Sequence, residues 1–188
     1  MKYAYIHIPK TGGHSVKKMI RQNPDCGIQI FDHAIIFKKI PEELEQIVVI
    51  RNPIDRFTSA FFYNKAKSHL TGETEIEDPE HFVQELMLFK PEALKILKPH
   101  NHCHHVNDQE IFTDWVFHPQ VKWIHNPTHV ILLEDIDRGF KNIGIEYKIP
   151  HECKSEKIDF KYSKKSLDYI SALYAEDIEY YNKHRNKS

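Results

Sequence analysis

The chain has 188 residues, 40% of them hydrophobic and 28% charged, and carries a formal net charge of −1 when its 14 histidines are neutral. That composition suits one globular core, shows no low-complexity tract, and does not suggest nucleic-acid binding by bulk charge. Any anion site has to be local rather than a product of bulk charge.

A single domain over residues 1–188 is expected. Its three cysteines, Cys26, Cys103 and Cys153, are scattered and form no CxxC, which argues against a disulfide scaffold or zinc ribbon. No basic stretch precedes a long apolar run, and no segment approaches eighteen consecutive apolar residues. The expectation is therefore a soluble, cytoplasmic chain with no membrane segment.

In chain order, Tyr3-Ala4-Tyr5-Ile6-His7-Ile8 reads as a buried strand that ends at Pro9. Lys10-Thr11-Gly12-Gly13-His14-Ser15 follows as a turn, and Val16 to Arg21 as a helix. After the Asn23-Pro24-Asp25 turn, Gly27–Phe31 is a strand ending at Asp32-His33. Pro41-Glu42-Glu43-Leu44 opens a short helical turn. Gln46–Ile50 is the clearest buried strand. It runs into Arg51-Asn52-Pro53 and a helix from Ile54 to about Lys67, whose apolar face includes Ile54, Phe57, Ala60 and Phe61.

Ser68–Pro79 reads as a polar loop, with helices over about 79–89, 91–97 and 109–117. Trp123-Ile124 is read as a short strand and His129–Leu133 as another. Ile136–Ile143 is a helix ending at Gly144. After a polar loop, one amphipathic helix is expected from Lys164 to about Lys183.

Short apolar strands alternating with helices predict an α/β fold, with a mainly parallel sheet flanked by helices on both faces. Such sheets place ligands beyond the carboxyl ends of their strands, where Lys10, His33, Arg51 and Glu134 would gather.

Two stretches carry chemistry. In the first, a strand, a glycine-containing turn and a helix aim backbone N–H groups and a helix dipole at an anion. Gly12 and Gly13 permit close backbone approach, Lys10 adds a charge, and Thr11 and Ser15 add hydroxyls. The lysine precedes the glycines, so this is not the Walker A order. The second is Arg51 through Phe61. Arg51 at a strand end can make a forked contact to phosphate, and Ser59 lies two helical turns into the following helix. Arg56 reads either as part of the same pattern or as a solvated surface charge.

Taken together, the two stretches resemble the sulfotransferases that use 3′-phosphoadenosine 5′-phosphosulfate (PAPS). The nearest likeness is to the branch with a His-Ile-Pro-Lys-Thr-Gly-Gly loop, which acts mainly on carbohydrates. That loop stands here as His7-Ile8-Pro9-Lys10-Thr11-Gly12-Gly13. The family's 3′-phosphate pattern, Arg-x-Pro-x-x-Arg-x-x-Ser-x-(Tyr/Phe), is met by Arg51, Pro53, Arg56, Ser59 and Phe61. Leu132-Leu133-Glu134-Asp135-Ile136 with Phe140, and Tyr174, Asp177 and Tyr181 near the end, also look like this branch. His14 stands where the family commonly has Thr.

The resemblance implies a three-layer P-loop-like fold and transfer of a sulfuryl group from PAPS to an acceptor hydroxyl on a carbohydrate or other molecule. It implies a catalytic role for Lys10, and His33-Ala34 looks like this branch's His followed by a small residue. His33, at its strand end, is the expected general base, with Glu134 at another strand end and His102–His105 as alternatives. Cofactor contacts would come from Lys10, Thr11, Gly12, Gly13, His14, Ser15, Arg51 and Ser59. The near-neutral net charge argues against a nucleic-acid partner, and no metal is expected, because a transferred sulfuryl carries less charge than a phosphoryl. The histidines between His100 and His105 lack a second group at zinc-site spacing and read as a polar, substrate-facing loop. Two other readings stay open: a nucleotide-dependent kinase with a variant phosphate loop, and a non-catalytic nucleotide- or glycan-binding relative.

Overall fold

The structure is a computed structural model, and it describes residues 2–32, 40–67, 76–90, 115–150 and 160–186. Four strands form one sheet: β1 (Tyr3–Ile6), β2 (Ile28–Phe31), β3 (Glu45–Ile50) and β4 (His129–Leu132). Their order is β2-β1-β3-β4. Every pair is parallel, with Tyr5 opposite Ile30 and Ile47, and Val49 opposite Ile131. The α/β expectation therefore holds, with a wholly parallel sheet among the described strands.

The period of two along these strands divides the core. On one face Tyr3, Tyr5, Ile47, Val49 and Ile131 pack against Val16 and Met19 of α1 (Gly13–Gln22) and Phe140 of α4 (Ile136–Asn142). On the other face Ile6, Val48, Ile50 and Leu132 meet Trp123 and Tyr181. Tyr181 belongs to α6 (Ala175–Arg185).

A third cluster joins Phe57 and Phe61 of α2 (Pro53–Lys67), Phe82 and Leu86 of α3 (Pro79–Met87), and Ile170 of α5 (Lys164–Leu173). Two proline-led helices begin as expected. Asp78 accepts from the His81 N–H at 2.9 Å ahead of α3. Asn52 accepts from the Ile54 and Asp55 N–H groups ahead of α2, at 3.0 and 3.3 Å.

Three expectations need correction. Trp123-Ile124 is not a strand: Gln120–Trp123 is a turn of 3-10 helix, because Asp177 accepts the Gln120 and Val121 N–H groups at 2.7 and 2.9 Å. The terminal helix is two helices broken at Tyr174, whose hydroxyl donates to the Phe117 carbonyl at 2.6 Å. Pro41–Leu44 closes as a turn, with the Leu44 N–H on the Pro41 carbonyl at 3.1 Å, and leads straight into β3. The helix expected over 91–97, most of that expected over 109–117, the 68–75 loop and the histidine-rich stretch lie outside the described residues. No helix among the described residues is long and apolar enough to cross a membrane.

Candidate functional site

The crevice of an open parallel sheet lies where helices from neighbouring strands leave on opposite faces. Here the chain passes from β1 to β2 in one direction across the sheet and from β3 to β4 in the other, which puts that place between β1 and β3. The helix after β1 packs on one face of the sheet. The helix after β3 packs with α3 and α5 in the separate third cluster. The Lys10 turn and Arg51 follow these two adjacent strands.

Lys10 has φ +65° and Gly12 φ +81°, so the turn is a tight left-handed one in which lysine bears a conformation suited to glycine. Gly12 precedes α1, which has no side-chain cap and no acidic residue in its first turn. The Ser15 and Val16 N–H groups bond the Gly12 carbonyl at 3.0 and 3.3 Å, so the first turn of α1 closes on Gly12. The Thr11 hydroxyl is fully buried and donates to the Ile8 carbonyl at 2.9 Å, so it shapes the turn from inside. Ser15 is buried and His14 exposed.

Beneath the turn lies a cluster that the sequence reading missed. His7 is 2% exposed and its Nδ1 lies 2.8 Å from Asp32 Oδ1. Lys17 of α1 reaches Asp32 Oδ2 at 3.0 Å. An ionised, lysine-paired carboxylate is an acceptor, so the proton sits on Nδ1 of His7. The ring stacks on Tyr5, meets His14 edge-on, and fills the space beside Gly13, where a Cβ would come within 1.8 Å of it. Gly13 is therefore glycine because His7 occupies its side-chain position. A histidine inside the loop motif followed by a polar residue at the next strand's end was the available signal.

Burial lowers the His7 pKa below its ordinary value, outweighing the Asp32 hydrogen bond, while Lys17 and His14 push the same way as burial. A histidine held neutral in the fold stabilises fully above the unfolded value of about 6.5 and loses that contribution as pH falls below it towards the folded value. His7→Gln is expected to be less stable than the parent at pH 7.5, with a deficit that narrows by up to about 1.4 kcal/mol per pH unit below pH 6.5. Urea melts of both proteins across pH 5–8 measure this. A constant deficit would show that His7 does not titrate between the two states.

Two contacts draw the motifs together. Arg56 is not a solvated charge: it is 1% exposed, with Nε donating to the Pro9 carbonyl and Nη2 to the Val116 carbonyl, both at 2.9 Å. The Lys10 ammonium lies 4.3 Å from the centre of the Tyr63 ring, a cation–π distance. Arg56, Ser59 and Tyr63 stand at i, i+3 and i+7 on α2, so they share one face. Both ends of that face touch the Pro9-Lys10 turn, and half-buried Ser59 lies between them.

Arg51 is half-buried at the end of β3. Burial lowers its pKa, opposed by the carboxylates of Asp55 and Glu134. Glu134, just past β4, accepts from the Tyr181 hydroxyl at 2.7 Å. His33 lies outside the described residues, as do His102–His105.

Compared with family models, curated proteins and solved structures, the chain has no match.

Proposed function

We propose that this chain is a PAPS-dependent sulfotransferase with a P-loop-like α/β fold, acting on a hydroxyl of a carbohydrate or similar acceptor. One observation carries the reading. The Lys10–Ser15 turn and the Arg51/Ser59 segment stand on adjacent strand ends and are stitched together by Arg56 and by Lys10 over Tyr63. A donor with two separated phosphates needs two anion sites at a fixed spacing, and the two stretches offer a cationic side chain each.

The residues fit such a donor: α1 starts at the turn with no acidic residue in its first turn, so its positive end is not neutralised there, and Gly13 lets the start of α1 settle against His7. PAPS supplies an activated sulfuryl group, which an acceptor oxygen takes as the bond to the 5′-phosphate oxygen breaks. Lys10 neutralises charge gathering on that departing oxygen, together with the turn's N–H groups. Arg51 and Ser59 hold the 3′-phosphate and so select against ATP. His33 takes the acceptor's proton. Positioning supplies most of the remaining rate.

Calorimetry tests the reading. Adenosine 3′,5′-bisphosphate should bind without Mg²⁺ and more tightly than ATP. Arg51→Ala should weaken the bisphosphate by roughly 10- to 150-fold, the worth of one charge-assisted contact of about 1.5–3 kcal/mol. The same change should leave adenosine 5′-phosphosulfate, which lacks the 3′-phosphate, nearly unaffected. Tight Mg²⁺-dependent ATP binding with none for the bisphosphate would instead mark a kinase-like protein.

A further inference from the structure

We infer that Gln120, held by Asp177, is a positioning residue for Arg51 and thereby sets the chain's preference for a ligand with a second, 3′-phosphate; the inference rests on the function proposed above. β3 ends at Ile50, where its pairing with Leu132 of β4 also ends. The Arg51 peptide groups thus need partners from outside the sheet. One side chain supplies both. Gln120 Oε1 accepts the Arg51 N–H at 2.9 Å, and its Nε2 donates to the Arg51 carbonyl at 2.8 Å.

Gln120 is 2% exposed, so neither bond has water as a ready substitute. Its own main chain is fixed in turn, since Asp177 accepts the Gln120 and Val121 N–H groups at 2.7 and 2.9 Å and is itself 1% exposed. On the far side of Arg51, Asn52 caps α2. The guanidinium therefore departs from a peptide clamped on both sides, near Asp55 and Glu134. An amide spending both ends on one residue's backbone fixes where that residue's side chain begins. For a long, rotamer-rich arginine, such fixing reduces the freedom lost when an anion is gripped.

The test is a double-mutant cycle on the full chain, read by calorimetry with adenosine 3′,5′-bisphosphate and adenosine 5′-monophosphate. Circular dichroism confirms folding of each variant. Gln120→Ala is expected to weaken the bisphosphate by roughly five- to tenfold, on the scale of one or two neutral hydrogen bonds, and to leave the monophosphate unchanged. In an Arg51→Ala background the same substitution should cost nothing further, because Gln120 acts through Arg51. Should Gln120→Ala fail to fold, Gln120→Met keeps the side chain's bulk in the buried site and loses both bonds to Arg51, and it should show the same selective loss.

Equal weakening of both ligands, or an undiminished effect without Arg51, would make Gln120 merely structural and overturn the inference while leaving the proposed function standing. A parent protein that binds bisphosphate no better than monophosphate would overturn both.

Discussion

Gly13→Ala is expected to lower stability by about 2–3 kcal/mol, a fall on the order of 5–10 °C in Tm, and to abolish measurable bisphosphate binding. The added Cβ would meet the His7 ring at 1.8 Å. That ring has nowhere to retreat: its Nδ1 is tied to Asp32, its face stacks on Tyr5, and it is almost wholly enclosed. The chain must then either push the start of α1 outward or break the His7–Asp32–Lys17 cluster. Both displace the N–H groups of the turn. Thermal melts and calorimetry measure the two losses, and adding His7→Ala to Gly13→Ala should recover part of the Tm by making room. An alanine variant that melts and binds like the parent would show that the close approach of His7 to this turn does not exist in solution.

Lys10→Ala is expected to lower turnover by about 10²–10³-fold, while weakening the spent bisphosphate much less. A charge that matters most as the leaving oxygen becomes anionic is felt in kcat before it is felt in binding. Lysine also holds φ +65°, a strained conformation that alanine shares, so backbone relaxation does not confuse the comparison. His33→Asn should lower turnover by roughly 10²-fold by a different route, removing the acidic limb of the pH–rate profile that Lys10→Ala leaves in place. Radiolabelled sulfate transfer across pH 5–9 separates them. If Lys10→Ala raises only KM, its role is uniform binding, and if His33→Asn keeps the limb, Glu134 is the next residue to change.

The strands were legible because each is a short apolar run bounded by turn residues, and burial on both faces of a parallel sheet requires that pattern. The break in the terminal helix is hidden from the sequence for a physical reason. Ile170, Tyr174, Ile178 and Tyr181 keep helical spacing across the break, so periodicity carries no sign of it. At the break Tyr174 reaches Phe117, a partner 57 residues away that the local pattern does not reveal.

Trp123 and Ile124 look like a strand because apolarity alone does not distinguish a strand from a buried 3-10 turn, and the deciding acceptor, Asp177, is equally distant in sequence. Arg56 illustrates the same limit. Its place in the Arg-x-x-Ser spacing was visible, but the carbonyls of Pro9 and Val116 that bury it were not. His7 stood inside the loop motif, yet its role became clear only when β2 brought Asp32 beside it.

The clamp on Arg51 has a consequence for the order in which the molecule becomes competent. Both sequence signatures lie in the first third of the chain, but their supports come much later: Val116 for Arg56, Gln120 for Arg51, and Asp177 for Gln120, separated by 60, 69 and 57 residues respectively. Closing loops of that length is slow, because their entropy is lost before the contacts return it. A chain emerging from the ribosome therefore displays the lysine turn and the arginine segment well before it can seat either. The brace on Arg51 is complete only when the segment carrying Asp177 docks on Gln120 and Val121.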